Sequence, residues 1–308
     1  MRIGLIDVDG KGTFPNIPLM KLSAWHKTSG DIVEWYDPMF SGHFDKVYMS
    51  KVFSFTPDYE FPIDADVVER GGTGYCISIV NGKETFDGSK YKELPPEIEH
   101  IYPDYTIYPT LTQDTAYGFL TRGCPRGCDF CIVGKKEGKC AIKVADLSEF
   151  WRGQKKIVLC DPNILACKDW RDLLEQLYES RAEIDFNQGL DIRLMTEEKA
   201  QMIAKIKVKK IHFAWDRFED KNLILPKLKM FADIGKFRPN DAIVYTLVNF
   251  STTFEQDLER IYTLRDLGYW PYVMIYDKEH CENRYKRLQR WVNMRSIFAS
   301  VPRWENYK

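Results

Sequence analysis

GFLTRGCPRGCDFCIVGKK, residues 118–136, places three cysteines, Cys124, Cys128 and Cys131, within eight positions. Two cysteines two residues apart are a common metal pattern, and C-x-x-x-C-x-x-C is a narrower one. Gly123 and Gly127 each precede a cysteine and permit the tight backbone that brings three sulfurs towards one centre. Three thiolates on a cubane of four irons leave one iron without a protein ligand, a vertex where a small molecule can bind. The alternative is a structural zinc closed by Cys140 or Cys160 as a fourth thiolate. A zinc knuckle usually repeats C-x-x-C on both sides, and this chain offers one such pair.

Working outward, TAYGFLT (115–121) reads as a strand leading into the cysteines, and a regular alternation follows. KKIVLCDPNIL (155–165) precedes WRDLLEQLYES, EIDFNQGLDIRL (183–194) precedes TEEKAQMIAKI, and KKIHFAWD (209–216) precedes a helix ending in LKMFADIG. DAIVYTLVNF (241–250) precedes FEQDLERIYTLRDLG, and YVMIYD (272–277) precedes RYKRLQRWVNM. Six β/α units in series make an α/β fold with a partial parallel (β/α)6 barrel, its chemistry at the C-terminal strand ends. Thr196 followed by Glu197 and Glu198 reads as a helix start and sets a strand end near 194.

Upstream, RIGLIDVD, a helix from Pro18 to Lys27, and the runs 31–37, 46–53 and 64–75 predict a small open parallel sheet of Rossmann-like type. The proline-containing passage KELPPEIEHIYPDYTIYPTLT (92–112) separates it from the rest. The expected domains are therefore 1–108, Rossmann-like, and 109–308, the barrel with a C-terminal helix.

The 308 residues are 44% hydrophobic, enough for a sizeable core. MRIGLIDVDG has no apolar h-region, and no stretch approaches the ~18 apolar residues that span a bilayer. A cytoplasmic protein without membrane attachment is expected. Eight clustered cysteines in a reducing compartment are thiols and metal ligands, not a disulfide framework. Residues 1–108 hold 10 basic and 17 acidic side chains and the remainder 34 and 28, a balance that neither requires nor excludes a nucleic-acid partner.

The cysteine loop resembles that of the radical S-adenosylmethionine superfamily over roughly residues 112 to 280. The resemblance implies that Cys124, Cys128 and Cys131 ligate a 4Fe-4S cluster whose open iron chelates the methionine moiety of S-adenosylmethionine. An electron from a donor such as flavodoxin or ferredoxin would then yield a 5′-deoxyadenosyl radical that abstracts hydrogen from a substrate the sequence does not identify. Phe130 stands where relatives carry an aromatic before the last cysteine. Asp161-Pro162-Asn163 replaces their Gly-Gly-Glu, altering the amino-group site, and Arg193 is similar to the basic residue that binds the methionine carboxylate. Asp216 stands where ribose hydroxyls would be held, Asn249 or Thr246 where the adenosyl group would approach, and Tyr276 where the adenine would lie. For several of these the ordinary alternatives are a salt bridge (Arg193), a helix cap (Asp216) and a core aromatic (Tyr276).

The N-terminal sheet resembles the domain that precedes the barrel in cobalamin-associated members, but neither His26 nor His43 lies in a D-x-H-x-x-G loop, so no cobalamin is expected. LIDVDGKGTF is similar to the D-x-D-G-T loop of haloacid-dehalogenase-type phosphatases, with Asp7 as nucleophile and Asp9 as acid/base. Lys11 and Gly12 displace the threonine, and a turn-forming role is expected instead. The glycines of RGGTGY could cradle a phosphate or simply turn the chain. A methylthiotransferase would need a second cysteine triad near its N-terminus, where Cys76 stands alone. The basic, aromatic tail reads as an amphipathic closing helix with Leu288, Trp291 and Val292 inward, in preference to a nucleic-acid surface. A zinc-stabilised binding protein, with nucleic acid as a partner, is the alternative function.

Overall fold

The computed structural model describes residues 1–80, 83–235 and 241–307. The chain falls into two compact units, Met1–Val158 and Leu159–Lys308.

The first unit opens with β1 (Arg2–Asp7), α1 (Ile17–Thr28), β2 (Ile32–Trp35), β3 (Phe44–Ser50) and β4 (Ala65–Gly71). These strands form one parallel sheet in the order β2-β1-β3-β4, the small open sheet that the alternation of strands and connectors predicts. Successive β1 residues point to opposite faces. Ile3 and Leu5 pack with Leu19 and Leu22 of α1, while Ile6 packs with Phe44, Val47 and Met49. Asn16 starts α1 by accepting the Leu19 N–H, and its amide donates to Ser50 Oγ at 2.8 Å. On α1 it is His26 that turns inward, between Asp31 at 2.6 Å and the Tyr48 hydroxyl at 3.0 Å.

The two acids at the end of β1 have different tasks. Asp9 accepts the backbone N–H groups of Val52 and Phe53 and the Thr56 hydroxyl, so it ties the β1–α1 loop to the β3–β4 loop and is a turn former. Asp7 accepts the Tyr108 hydroxyl at 2.6 Å. Burial pushes its carboxyl up to about 6, against the opposing hydrogen bond from Tyr108.

The unit continues through β5 (Ile77–Val80) and β6 (Lys83–Phe86), which pair antiparallel, then α2 (Pro96–Glu99), α3 (Pro109–Thr112) and β7 (Thr115–Gly118). It closes with β8 (Thr121–Arg122), α4 (Val133–Lys136), β9 (Ile142–Lys143) and β10 (Lys156–Leu159), the last crossing into the second unit.

The second unit comprises α5 (Trp170–Ser180), β11 (Glu183–Phe186), α6 (Glu197–Lys205), β12 (Val208–Ala214), α7 (Lys221–Gly235), β13 (Ala242–Val248), α8 (Phe254–Asp266), β14 (Trp270–Ile275), α9 (Asn283–Asn293) and α10 (Arg295–Ser300). β11 to β14 pair in parallel. Within this unit the order β14-β13-β12-β11 follows the chain. On α5, Trp170, Leu173, Leu174 and Leu177 are buried at helical spacing. On α9, Tyr285, Leu288, Trp291 and Val292 are buried, the inward stripe expected of a closing helix. They pack with Phe254, Trp270 and Phe298.

Two strands stop earlier than their apolar runs. β11 ends at Phe186, not near 194, because Gly189 turns the chain at φ +82° and the Asp191 carboxylate accepts the Arg193 N–H, nucleating a short 3-10 turn over Ile192–Leu194. Thr196 does cap the following helix, accepting the Lys199 N–H. β10 ends at Leu159, and the next residues turn through Ile164–Ala166. Among the described residues no helix is long and apolar enough to cross a membrane.

Because folding raises the Asp7 pKa from 3.8 to about 6, the stability associated with its protonated form is complete below about pH 4 and is lost as pH rises to about 6. Asp7→Asn removes that loss. The melting temperature of the variant minus that of the wild type should increase between pH 4 and pH 7; a difference independent of pH would contradict this burial effect.

Candidate functional site

The cysteine loop is the excursion of a two-stranded base in the first unit. β8 and β9 pair antiparallel, Thr121 opposite Lys143 and Arg122 opposite Ile142. The expected strand 115–121 is thus two pieces: β7 ends at Gly118, where any Cβ would run into the Phe150 ring, and β8 belongs to another sheet. Gly123 has φ +82° and its Cβ would overlap the Cys140 carbonyl oxygen, so glycine is required where the loop crosses its own return limb. Gly127 has neither constraint, with nothing within 4 Å of a Cβ.

Polar groups hold the base closed. The buried carboxylate of Glu137 accepts Arg122 at 3.2 Å and the Gly123 N–H at 3.3 Å. The Cys124 N–H donates to Gly138 O at 3.1 Å, and the Cys131 N–H donates to Cys128 O at 3.0 Å. Cys124 and Cys128 are half-buried, Cys131 and Cys140 are exposed, and Phe130 is half-buried within the same loop. Cys160 and Cys167, after β10, are buried. Among the described residues no three His, Cys, Asp or Glu side chains are grouped closely enough to hold a metal ion. The side chains of this loop able to serve as ligands are its thiols and the Asp129 carboxylate.

Gly123→Ala should destabilise the protein by about 1–3 kcal/mol through backbone strain, whereas Gly127→Ala should lie within about 0.5 kcal/mol of wild type. Equal denaturant midpoints for the two variants would contradict the role given to Gly123.

In the second unit the remaining sequence-derived site residues sort into two groups. Asp161 and Asn163 are buried just after β10. The Asn163 amide reaches Asp191 at 3.3 Å, and Asp191 accepts Arg193 Nε at 2.8 Å, while Arg193 also faces Asp220 at 3.5 Å. Arg193 therefore makes the salt bridges that its charge allowed. The loop carrying it is pinned from below. Lys199 donates to the carbonyls of Leu165 and Leu194, and Lys227 to those of Arg193 and Met195. Burial lowers the Lys199 pKa.

The second group lies at the ends of β12 to β14. Asp216 accepts the Leu247 N–H at 3.3 Å, and burial raises its pKa. Asn249 follows β13 in a left-handed conformation, φ 60°. Thr246 is fully buried. Tyr276 donates its N–H to Val248 O, and its ring lies 4.7 Å from that of Phe250.

Residues absent from the sequence reading organise this end of the unit. Arg260 on α8 is fully buried and donates to the carbonyls of Trp215, Asp216 and Leu247, to the Thr252 hydroxyl and to Asp257 at 2.5 Å. Burial lowers the Arg260 pKa and raises that of Asp257, which Arg260 and Thr252 oppose. In sequence, D-x-x-R on one face of an amphipathic helix looks like an ordinary surface pair, and nothing local betrays its burial. His212 is a second case. Its ring stacks on Tyr245 at 5.4 Å and 13°, and burial lowers its pKa. A histidine interrupting the apolar run IHFAW was the available signal.

Arg260→Leu should cost about 3–5 kcal/mol by stranding Asp257 and three carbonyls. Arg260→Lys should recover only part of this, since an ammonium cannot span the same acceptors. Urea denaturation measures both, and a loss below about 1 kcal/mol for Arg260→Leu would be inconsistent with a hub.

No protein-family model matches the chain. It is 34% identical over 82 residues to the ribosomal protein uS12 methylthiotransferase RimO of Acaryochloris marina, covering 26% of this chain and 18% of that protein. It is 36% identical over 94 residues to the uncharacterized protein MJ0966 of Methanocaldococcus jannaschii, covering 26% of this chain and 21% of that protein. The chain thus spans about a fifth of the length of the curated relatives it matches.

Proposed function

We propose that this chain is a radical S-adenosylmethionine enzyme, with a partial parallel (β/α)6 barrel and a Rossmann-like N-terminal domain. The observation that carries the reading is the three-cysteine loop, closed at its base by β8, β9 and Gly123 so that Cys124, Cys128 and Cys131 project from one short excursion. The donor set fits a 4Fe-4S cluster in kind: three thiols on one loop, partly open to solvent, on a backbone that a glycine turns sharply. When bound, the cluster would supply the electron that breaks the sulfonium carbon–sulfur bond of S-adenosylmethionine.

The chain's own residues would bind and orient. Arg193 would take the methionine carboxylate by exchanging for it donors that it now gives to Asp191 and Asp220. Asp161 and Asn163 would take the amino group, Asp216 the ribose hydroxyls, and Asn249 and Tyr276 the adenosyl end. Phe130 would shield the cluster beside Cys131.

The partial likeness to RimO supports the reading, because methylthiotransferases belong to the family that the cysteine loop resembles. It does not carry the methylthiolation reaction across. Cys76 is the sole cysteine before the loop, where those enzymes need a second triad. Hydrogen abstraction from an unassigned substrate, in the cytoplasm and with a flavodoxin- or ferredoxin-like donor, is the extent of the proposal.

Anaerobic reconstitution should give a brown protein with about four irons per chain and broad absorption near about 400 nm. Cys128→Ala should abolish iron uptake, and Cys167→Ala should leave it unchanged. A colourless protein holding one zinc, or equal iron in both variants, would overturn the reading.

A further inference from the structure

A cavity of about 800 Å³ lies within the first unit. Small-molecule sites typically measure ~300–1,000 Å³. The floor is made by the C-terminal halves of β3 and β4, where Tyr48 stands beside Glu69 and Ser50 beside Gly71, together with the start of α1. The other walls are the segment 91–100 and the base of the cysteine hairpin. In open parallel sheets, ligands bind in the crevice beyond the carboxyl ends of the strands. Neither the β2–β3 nor the β3–β4 connection carries a helix, so no crossover helix from them covers this part of the sheet.

Two chemistries meet in the lining. The lining includes Leu19, Leu22, Leu94 and Ile98 and the rings of Tyr48 and Tyr91, with Lys46 lying 4.5 Å over the Tyr48 ring and Lys136 5.6 Å over that of Tyr91. It also has six lysines and arginines against four glutamates. Lys46 is held by Glu69 at 2.7 Å, and Arg122 lies between Glu99 at 3.7 Å and Glu137 at 3.2 Å. Arg70 and Lys92 are exposed on the rim. The turn Gly71-Gly72-Thr73 belongs to the same lining. Gly72 has φ +98°, and its Cβ would overlap the Lys51 carbonyl oxygen, so this turn presents bare backbone.

We propose that the cavity binds an aromatic ring carrying a phosphate, the chemistry of a nucleoside monophosphate. The ring lies along the Tyr48 and Tyr91 wall, and the phosphate sits at the Gly71–Thr73 turn beside Arg70 and Lys92. The cavity shares Arg122 and Glu137 with the base of the cysteine hairpin, but none of its lining residues is a cysteine.

Adenosine 5′-monophosphate is titrated into the full-length protein by calorimetry, with adenosine and inorganic phosphate as separate probes. Saturable binding of the monophosphate, tighter than of either fragment, is expected. Arg70→Glu combined with Lys92→Glu changes exposed side chains only and should weaken the monophosphate by about tenfold or more, while leaving adenosine unchanged. Cys128→Ala should bind the monophosphate like the wild type. Absence of saturable binding, equal affinity in the double variant, or loss of binding in Cys128→Ala would each overturn the assignment.

Discussion

A parallel strand that ends in a loop leaves backbone carbonyls without ladder partners, and in a buried setting each of them must find a donor. The second unit meets this constraint with long cations from its helices. Arg260 of α8 gathers the carbonyls at the ends of β12 and β13. Lys199 of α6 gathers those of Leu165 and Leu194, after β10 and β11, and Lys227 of α7 those of Arg193 and Met195. Each of these three helices thus sends one positive charge to the loops that follow nearby strands. Such charges are costly to bury alone, but here their N–H groups and the orphan carbonyls satisfy each other. The result is a set of loops whose backbone is fixed before any ligand arrives, the condition under which strand-end side chains can act on a bound molecule without reorganising.

The first unit solves a different problem, that of holding a small loop rigidly while leaving its thiols accessible. Its two-residue strand pair would be marginal alone. Glu137 secures it by accepting from both a side chain and a backbone N–H on the opposite limb. Arg122 is fixed at once by Glu137 and by the face of Phe119, 3.5 Å from its ring centroid. The cysteines therefore project from a base that is specified by charge pairing, not by an apolar core.

Periodicity made most of the elements legible. The helix α5 coincides with WRDLLEQLYES, and the inward residues of α9 are those its spacing dictates, because burial of a single stripe is a local property of sequence. Strand ends were less legible. EIDFNQGLDIRL reads as one strand because its apolar residues continue, yet Gly189 and Asp191 turn it at Phe186 through hydrogen bonds that a pattern of side-chain polarity does not encode. The cysteine loop was legible in full as a motif, whereas its anchoring was not. The contacts of Gly123 with Cys140, and of Glu137 with Arg122, join residues 17 and 15 apart that nothing in local spacing pairs. The burial of Arg260 and the stacking of His212 are illegible for the same reason, since their environments are assembled from separate strands and loops.

The strand orders described for the two units differ in what they ask of a growing chain. Between β11 and β14 every strand lies beside its predecessor, so each new β/α segment finds its template already in place as it leaves the ribosome. In the N-terminal sheet β3 bypasses β2 and lies on the far side of β1, with β4 beyond it. Pairing β1 with β3 therefore closes a longer loop, Ile3 to Lys46, than pairing β12 with β13, Ile211 to Ala242, and carries the larger cost in chain entropy.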